Sequence, residues 1–236
     1  MTRVFVATPD RNYREHDFTG AFRPESDALV SAHGAEGSEV VRVNINEDRS
    51  ARRAQVLAGL RQGNVQAFDL VALLCHGWKA GLQLGFLLEH VQELAAGIAS
   101  VTRRGAAVVL YACSAASPEF EAAGGTCAGP ESRGTQGFAD VLWTALSCCT
   151  LQDGAPGSSL HLDAHDRVGH TTSNPFVRRF DAEGEGWLIE PGSALWGPWY
   201  RELHDRHTSA LRLRYPMMTR KEIGDYLRCH YDVPTR

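Results

Sequence analysis

No apolar run in this 236-residue sequence approaches the roughly 18 residues that a membrane-spanning helix needs. The first nine residues, Met1 to Pro9, are too briefly apolar for the core of a secretion signal. A basic excess is missing too: 24 Lys and Arg stand against 28 Asp and Glu, for a formal net charge of −4. That balance argues against a dedicated nucleic-acid binder. The six cysteines, at 75, 113, 127, 148, 149 and 229, lack zinc-finger spacing. Without an export signal they are expected to be reduced thiols in the cytoplasm. Internal repeats and clear linkers are also missing. The expectation is one domain over residues 1–236, away from nucleic acid and membrane.

What is present is ordinary globular composition, 43% hydrophobic and 22% charged. A chain of this size hides roughly 70–75% of its unfolded surface, so a core forms without disulfides or metal. Strand-like and helix-like segments alternate. Residues 4–8, 39–45, 68–75 and 106–112 are short apolar or valine-rich runs, and the third is broken only by Asp69. Between them, 24–33, 50–60, 86–101 and 138–147 carry apolar residues at helical spacing, as in Leu87, Leu88, Val91, Leu94 and Ile98. Unbroken apolar strands separated by helices imply an α/β fold with a parallel sheet covered on both faces. After residue 150 the pattern loosens. Residues 160–165 and 167–180 read as strands. A less regular extension from about 181 holds two terminal helices, at 202–213 and 219–230.

Two strands end in a reactive residue. The run 69–75 is followed by His76-Gly77, and the run 106–111 by Ala112-Cys113. Sites in open α/β sheets form at the carboxyl ends of strands. Consecutive strands often lie side by side, about 4.8 Å apart, so an imidazole and a thiol there can share one substrate bond. The other reading of the same residues is a buried structural thiol and a loop histidine. Cys75 points to the opposite side of its strand and belongs to the core.

An apolar block with His-Gly, then a second with Ala-Cys, resembles the caspase-like cysteine peptidases. Tyr111 stands where caspases have Gln and where metacaspases often have Asp, and Ser114-Ala115 replaces the last caspase pair. The interval from His76 to Cys113 is shorter than the roughly 50 residues of the caspase pattern. The resemblance is therefore to a prokaryotic caspase homologue. It implies a caspase–haemoglobinase fold: a mainly parallel sheet of about six strands, order beginning 2-1-3-4, sandwiched by helices. It further implies a cysteine endopeptidase acting in bacterial defence, stress response or regulated cell death.

On that resemblance Cys113 is the nucleophile, and His76 activates it and protonates the leaving amine. The backbone N–H groups of Gly77 and Cys113 form the oxyanion hole. The dyad needs no cofactor. The substrate is a polypeptide, cut after Arg or Lys in many prokaryotic relatives, and a regulatory protein partner is compatible with it. The first-strand loop, residues 10–22, offers Asp17 for a basic side chain. The segment 169–179 offers Thr172 and Ser173, or is simply an edge strand, with Arg178-Arg179 a solvated pair. The loop 114–137 follows the nucleophile and is a gate with a self-cleavage point at Arg133, or a plain spacer.

Two other classes stay open. A caspase-like module that has lost catalysis would serve protein interaction. A metal-dependent hydrolase would use His161, Asp163 and His165, which alternate on one strand face with His170 nearby, to hold zinc or iron.

Overall fold

The computed structural model describes residues 2–10, 22–33, 37–62, 66–116, 137–166 and 177–188. In chain order the elements are β1 (Val4–Pro9), α1 (Phe22–His33), β2 (Glu39–Val43), α2 (Arg49–Gln62) and β3 (Phe68–Leu74). A small hairpin follows, β4 (Gly77–Trp78) and β5 (Gly81–Leu82). A 3-10 turn, Leu88–His90, then runs into α3 (Val91–Ala99). The remaining elements are β6 (Thr102–Tyr111), α4 (Phe138–Ser147), a 3-10 turn at Gly157–Ser159, β7 (His161–His165), β8 (Val177–Asp181) and β9 (Gly184–Trp187).

Seven strands form one sheet in the order β2-β1-β3-β6-β7-β8-β9. The first five run parallel, and β8 and β9 close the sheet antiparallel. The protein is thus α/β with a mainly parallel sheet. Its apolar runs became central strands because both faces are covered: β1 is buried throughout, and β3 at every position but Asp69. Phe5, Val71, Leu73, Val108, Leu110 and Leu162 share one apolar cluster with side chains of α2, α3 and α4. The opposite face carries Val4, Val6, Leu70, Ala72 and Leu74, packed on Phe22, Leu29 and Val30 of α1. Each large side chain buried in this way contributes about 1.5–3 kcal/mol.

Several boundaries differ from the sequence pattern. The helix expected over 86–101 begins only at 88. Leu82 and Phe86 close a hydrogen-bonded turn, Gly81 bridges Leu87, and Leu87 is extended at φ −113°, ψ 174°. The strand expected from 106 starts four residues earlier, because β6 carries a bulge. Its register on β3 jumps from Phe68↔Thr102 to Leu70↔Ala107, leaving Arg103, Arg104 and Gly105 (φ +77°) exposed. The sheet has seven strands rather than about six, because a four-residue β9 adds to β8. Of the strand expected over 167–180, β8 supplies the end, and 167–176 lie outside the described residues. The two terminal helices also lie outside them.

Asp69, the one polar break in β3, ties this bulge to the sheet. Its carboxylate accepts the Arg3 backbone N–H at 2.9 Å and the Arg103 Nε–H at 2.8 Å, and a second Arg103 nitrogen donates to it as well. Burial alone would raise the Asp69 carboxyl. The Arg3 and Arg103 bonds outweigh it and hold the group below its ordinary 3.8. A carboxylate with a depressed folded pKa lends stability that is complete above its unfolded pKa and is lost as pH falls through the folded value. Asp69→Asn is therefore expected to cost about 1 kcal/mol at neutral pH. The gap from wild type should close as pH drops below 3.8. Urea midpoints of both proteins at neutral pH and at about pH 2.5 check this, and a gap independent of pH would contradict it.

Candidate active site

The carboxyl ends of β3 and β6 meet at a fixed register. Their last paired residues are Leu74 and Tyr111, and the Cys75 N–H donates to the Tyr111 carbonyl at 3.2 Å, carrying the pairing one residue further. His76 and Cys113 each follow two positions after this last pair. His76 faces the α1 side of the sheet, against Phe22, and Cys113 lies in the turn that follows β6. Gly77 marks the contact between the two strand ends. A Cβ at 77 would lie 2.6 Å from the Ala112 Cβ and 3.1 Å from the Cys113 carbonyl oxygen. Only glycine lets the His76-Gly77 turn approach the Ala112-Cys113 backbone so closely.

His76 is held from several directions. Its backbone N–H donates to the Gln83 side-chain oxygen at 3.3 Å, and its carbonyl accepts the Gln83 N–H at 2.8 Å. Gln83 is itself pinned, since Arg52 of α2 donates to its carbonyl at 2.9 Å. The imidazole meets the buried Phe22 ring edge to face, with centroids 5.0 Å apart and planes at 82°. Such an edge-to-face contact favours one orientation of the imidazole.

Cys113 is partly buried and sits in a sharp turn. The next residue, Ser114, has φ +53°, and among the described residues it is the only non-glycine at positive φ. Such a conformation costs roughly 1–3 kcal/mol and persists where the surroundings over-determine it. Here they do. Ala116 N–H donates to the His165 carbonyl at 2.9 Å, and Ala139 N–H to the Ala115 carbonyl at 2.9 Å. Phe138 N–H donates to the Lys79 carbonyl at 2.7 Å, tying the start of α4 to the β4–β5 hairpin. Both ends of the connection between β6 and α4 are therefore anchored beside Cys113, while 117–136, with Arg133, lie outside the described residues.

The two thiols at these strand ends differ in kind. Cys75 points into the opposite core, is fully buried, and has its pKa pushed up to about 12 by that burial. Tyr111, the last residue of β6, packs its ring 5.6 Å from that of buried His165, and burial raises its phenol to about 12. The sequence pattern did not single out Phe22, Gln83, Tyr111 and His165 as neighbours of the site. The contacts of Phe22, Tyr111 and His165 join residues far apart in the chain, and Gln83 reaches His76 from seven residues away across the hairpin.

His161, Asp163 and His165 alternate along β7 as expected, but they do not assemble as a ligand set. Both Asp163 oxygens are taken by Arg179, from Nε and Nη2, each at 2.8 Å. Burial lowers the His161 pKa. Among the described residues no group of three or more His, Cys, Asp or Glu is placed to hold a metal ion. Arg178 and Arg179 are not a solvated pair either. Arg179 is bound to Asp163, while Arg178 reaches Glu185 at 2.8 Å and Asp166 at 3.6 Å and lies 4.5 Å over the Trp187 ring. Asp17, Thr172, Ser173 and His170 lie outside the described residues.

Only a thiolate reacts with an alkylating agent. With a pKa near 12, Cys75 presents about one thiolate in ten thousand at pH 8. Brief iodoacetamide treatment of the native protein, followed by peptide mass spectrometry, is expected to label Cys113 well ahead of Cys75. Cys75 should become reactive only in denaturant. Equal labelling of both in the native protein would contradict the arrangement.

No protein-family model matches the chain, and neither the curated proteins nor the solved structures contain a match to it.

Proposed function

We propose that this protein is a cysteine endopeptidase of caspase–haemoglobinase fold, with Cys113 as nucleophile and His76 as its acid–base partner. The observation that carries the reading is the β3–β6 register, which ends two paired parallel strands in a histidine and a cysteine, each two positions past the last pair, Leu74↔Tyr111. A metal site or a structural thiol has no need of that pairing. The sheet supports it as well: its parallel strands run 2-1-3-4-5 in order of appearance, and an antiparallel strand follows the fifth. Among the described residues no disulfide joins Cys75, Cys113, Cys148 or Cys149. Among the described residues no helix is long and apolar enough to cross a membrane.

In the reaction, His76 takes the Cys113 proton as sulfur attacks the scissile carbonyl carbon. Negative charge moves onto the carbonyl oxygen, beside the Gly77 and Cys113 N–H groups. The C–N bond then breaks, His76 gives its proton to the departing amine, and a thioester remains. Water attacks the thioester, His76 accepts a proton from it, and the thiol is regenerated with release of the acid. The polypeptide substrate, the preference for Arg or Lys before the scissile bond, and roles in bacterial defence, stress response or regulated cell death belong to the same proposal.

Cys113→Ala and His76→Ala are each expected to abolish cleavage of a peptide library while leaving the circular dichroism spectrum unchanged. The double variant should be little worse than either single one, because the two residues act as a unit. Undiminished turnover by Cys113→Ala would overturn the proposal. A protein that binds peptides but cleaves none would instead be a non-catalytic interaction module.

Gln83 enters the same reading as a positioning residue. Gln83→Met removes the acceptor for the His76 N–H. It is expected to lower kcat by roughly tenfold with little change in KM, the loss of one hydrogen bond that aligns the base. Gln83→Glu, which keeps an acceptor oxygen, should recover most of kcat. A fall in KM alone, or no recovery with Glu, would remove Gln83 from that role.

A further inference from the structure

Trp78 sits one residue past the His76-Gly77 turn, and the dyad reading gives it no role. It is 39% exposed, and among the described residues it is the large hydrophobic side chain left in solvent. Elsewhere the phenylalanines Phe5, Phe22, Phe68, Phe86 and Phe138 are fully buried. Trp78 is nevertheless not loose. It pairs with Gly81 across the β4–β5 hairpin, and a Cβ on Gly81 would come within 2.9 Å of the indole Cζ2. The ring therefore lies over its buried cross-strand glycine, with its remaining surface turned outward.

The hairpin beneath it is anchored to two helices and to the end of β3. Lys79 accepts from Phe138 of α4, Gln83 accepts from Arg52 of α2, and Gln83 bonds the His76 backbone on both sides. The ordering entropy of this aromatic has already been met by the fold. A rigid, half-exposed indole is the kind of side chain on which recognition sites concentrate their affinity.

We infer that Trp78 forms a subsite for an aromatic side chain of the substrate on the leaving-group side of the scissile bond. The inference rests on the peptidase reading above, which supplies the direction. His76 delivers its proton to the departing amine, so the chain that leaves runs past His76. Trp78 follows His76 by two residues, which an extended backbone spans in about 7 Å. A substrate in extended conformation covers the same distance with two residues. The side chain that meets the indole is thus one of the first two after the cleaved bond. Offset or edge-to-face stacking on the indole selects an aromatic there.

The test uses a quenched peptide library randomised at the two positions after the scissile bond, with cleavage sites read by mass spectrometry. Wild type should prefer Phe or Tyr over Gly at one of them by roughly tenfold in kcat/KM. Trp78→Ala should lose that preference, and Trp78→Phe, with a smaller ring, should keep part of it. Alkylation of Cys113 by iodoacetamide shows that each variant's site is folded. Wild type that cuts aromatic and glycine peptides alike overturns the subsite while the peptidase reading stands. So does Trp78→Ala with its preference intact. If wild type cuts no peptide at all, the peptidase reading fails and the subsite falls with it.

Discussion

The parallel pairing of β3 with β6 is the constraint on which the rest depends. Side chains alternate with a period of two, so a slip of one residue would exchange the two faces of β6. Ala112 would then stand where Cys113 stands, and the Cys113 thiol would enter the packed core. The hydrophobic pattern opposes such a slip, since Val108 and Leu110 would leave the layer they share with Leu73 and Leu162. The bulge at 103–105 absorbs the mismatch in strand length at the far end. Asp69 holds that bulge through Arg103. A polar group at one end of β3 thereby helps to set the alignment of histidine and cysteine at the other.

Around that alignment the structure separates precision from exposure. Backbone groups and buried rings do the holding: Gln83 on the His76 peptide, Phe22 on the imidazole, His165 on the turn after Cys113. Cys113 and His76 themselves stay partly accessible. Cys75, one residue from His76, shows what the same chemistry becomes in the opposite layer, where desolvation keeps the thiol protonated. Burial in the core layer is what keeps Cys75 inert, while Cys113 stays partly accessible.

Much of this was legible in the sequence, for physical reasons. Continuous apolar runs can hardly be anything but strands buried on both faces, so β1, β3 and most of β6 stood out, along with the residues at their ends. The β4–β5 hairpin did not, because strands of two residues, Gly-Trp and Gly-Leu, carry no periodicity. The first four residues of β6 were hidden by Thr-Arg-Arg-Gly, a polar bulge without the alternation of a strand. Arg178 and Arg179 read as solvated because their partners, Asp163, Asp166 and Glu185, are chosen by tertiary pairing. The alternation of His161, Asp163 and His165 was read correctly as geometry. The carboxylate at its centre is occupied by an arginine that lies sixteen residues further on.

The antiparallel end of the sheet bears on how this molecule can associate. The hairpin formed by β8 and β9 occupies the outer side of β7 with the chain's own strands. Its terminal strand is four residues long, Gly-Glu-Gly-Trp, with Glu185 drawn into an ion pair by Arg178. A short, glycine-rich, charged border is a poor template for edge-to-edge accretion. Among the described residues the long central ladder thus lies inside and this margin is too brief to extend, so a cross-β continuation through it has little to build upon.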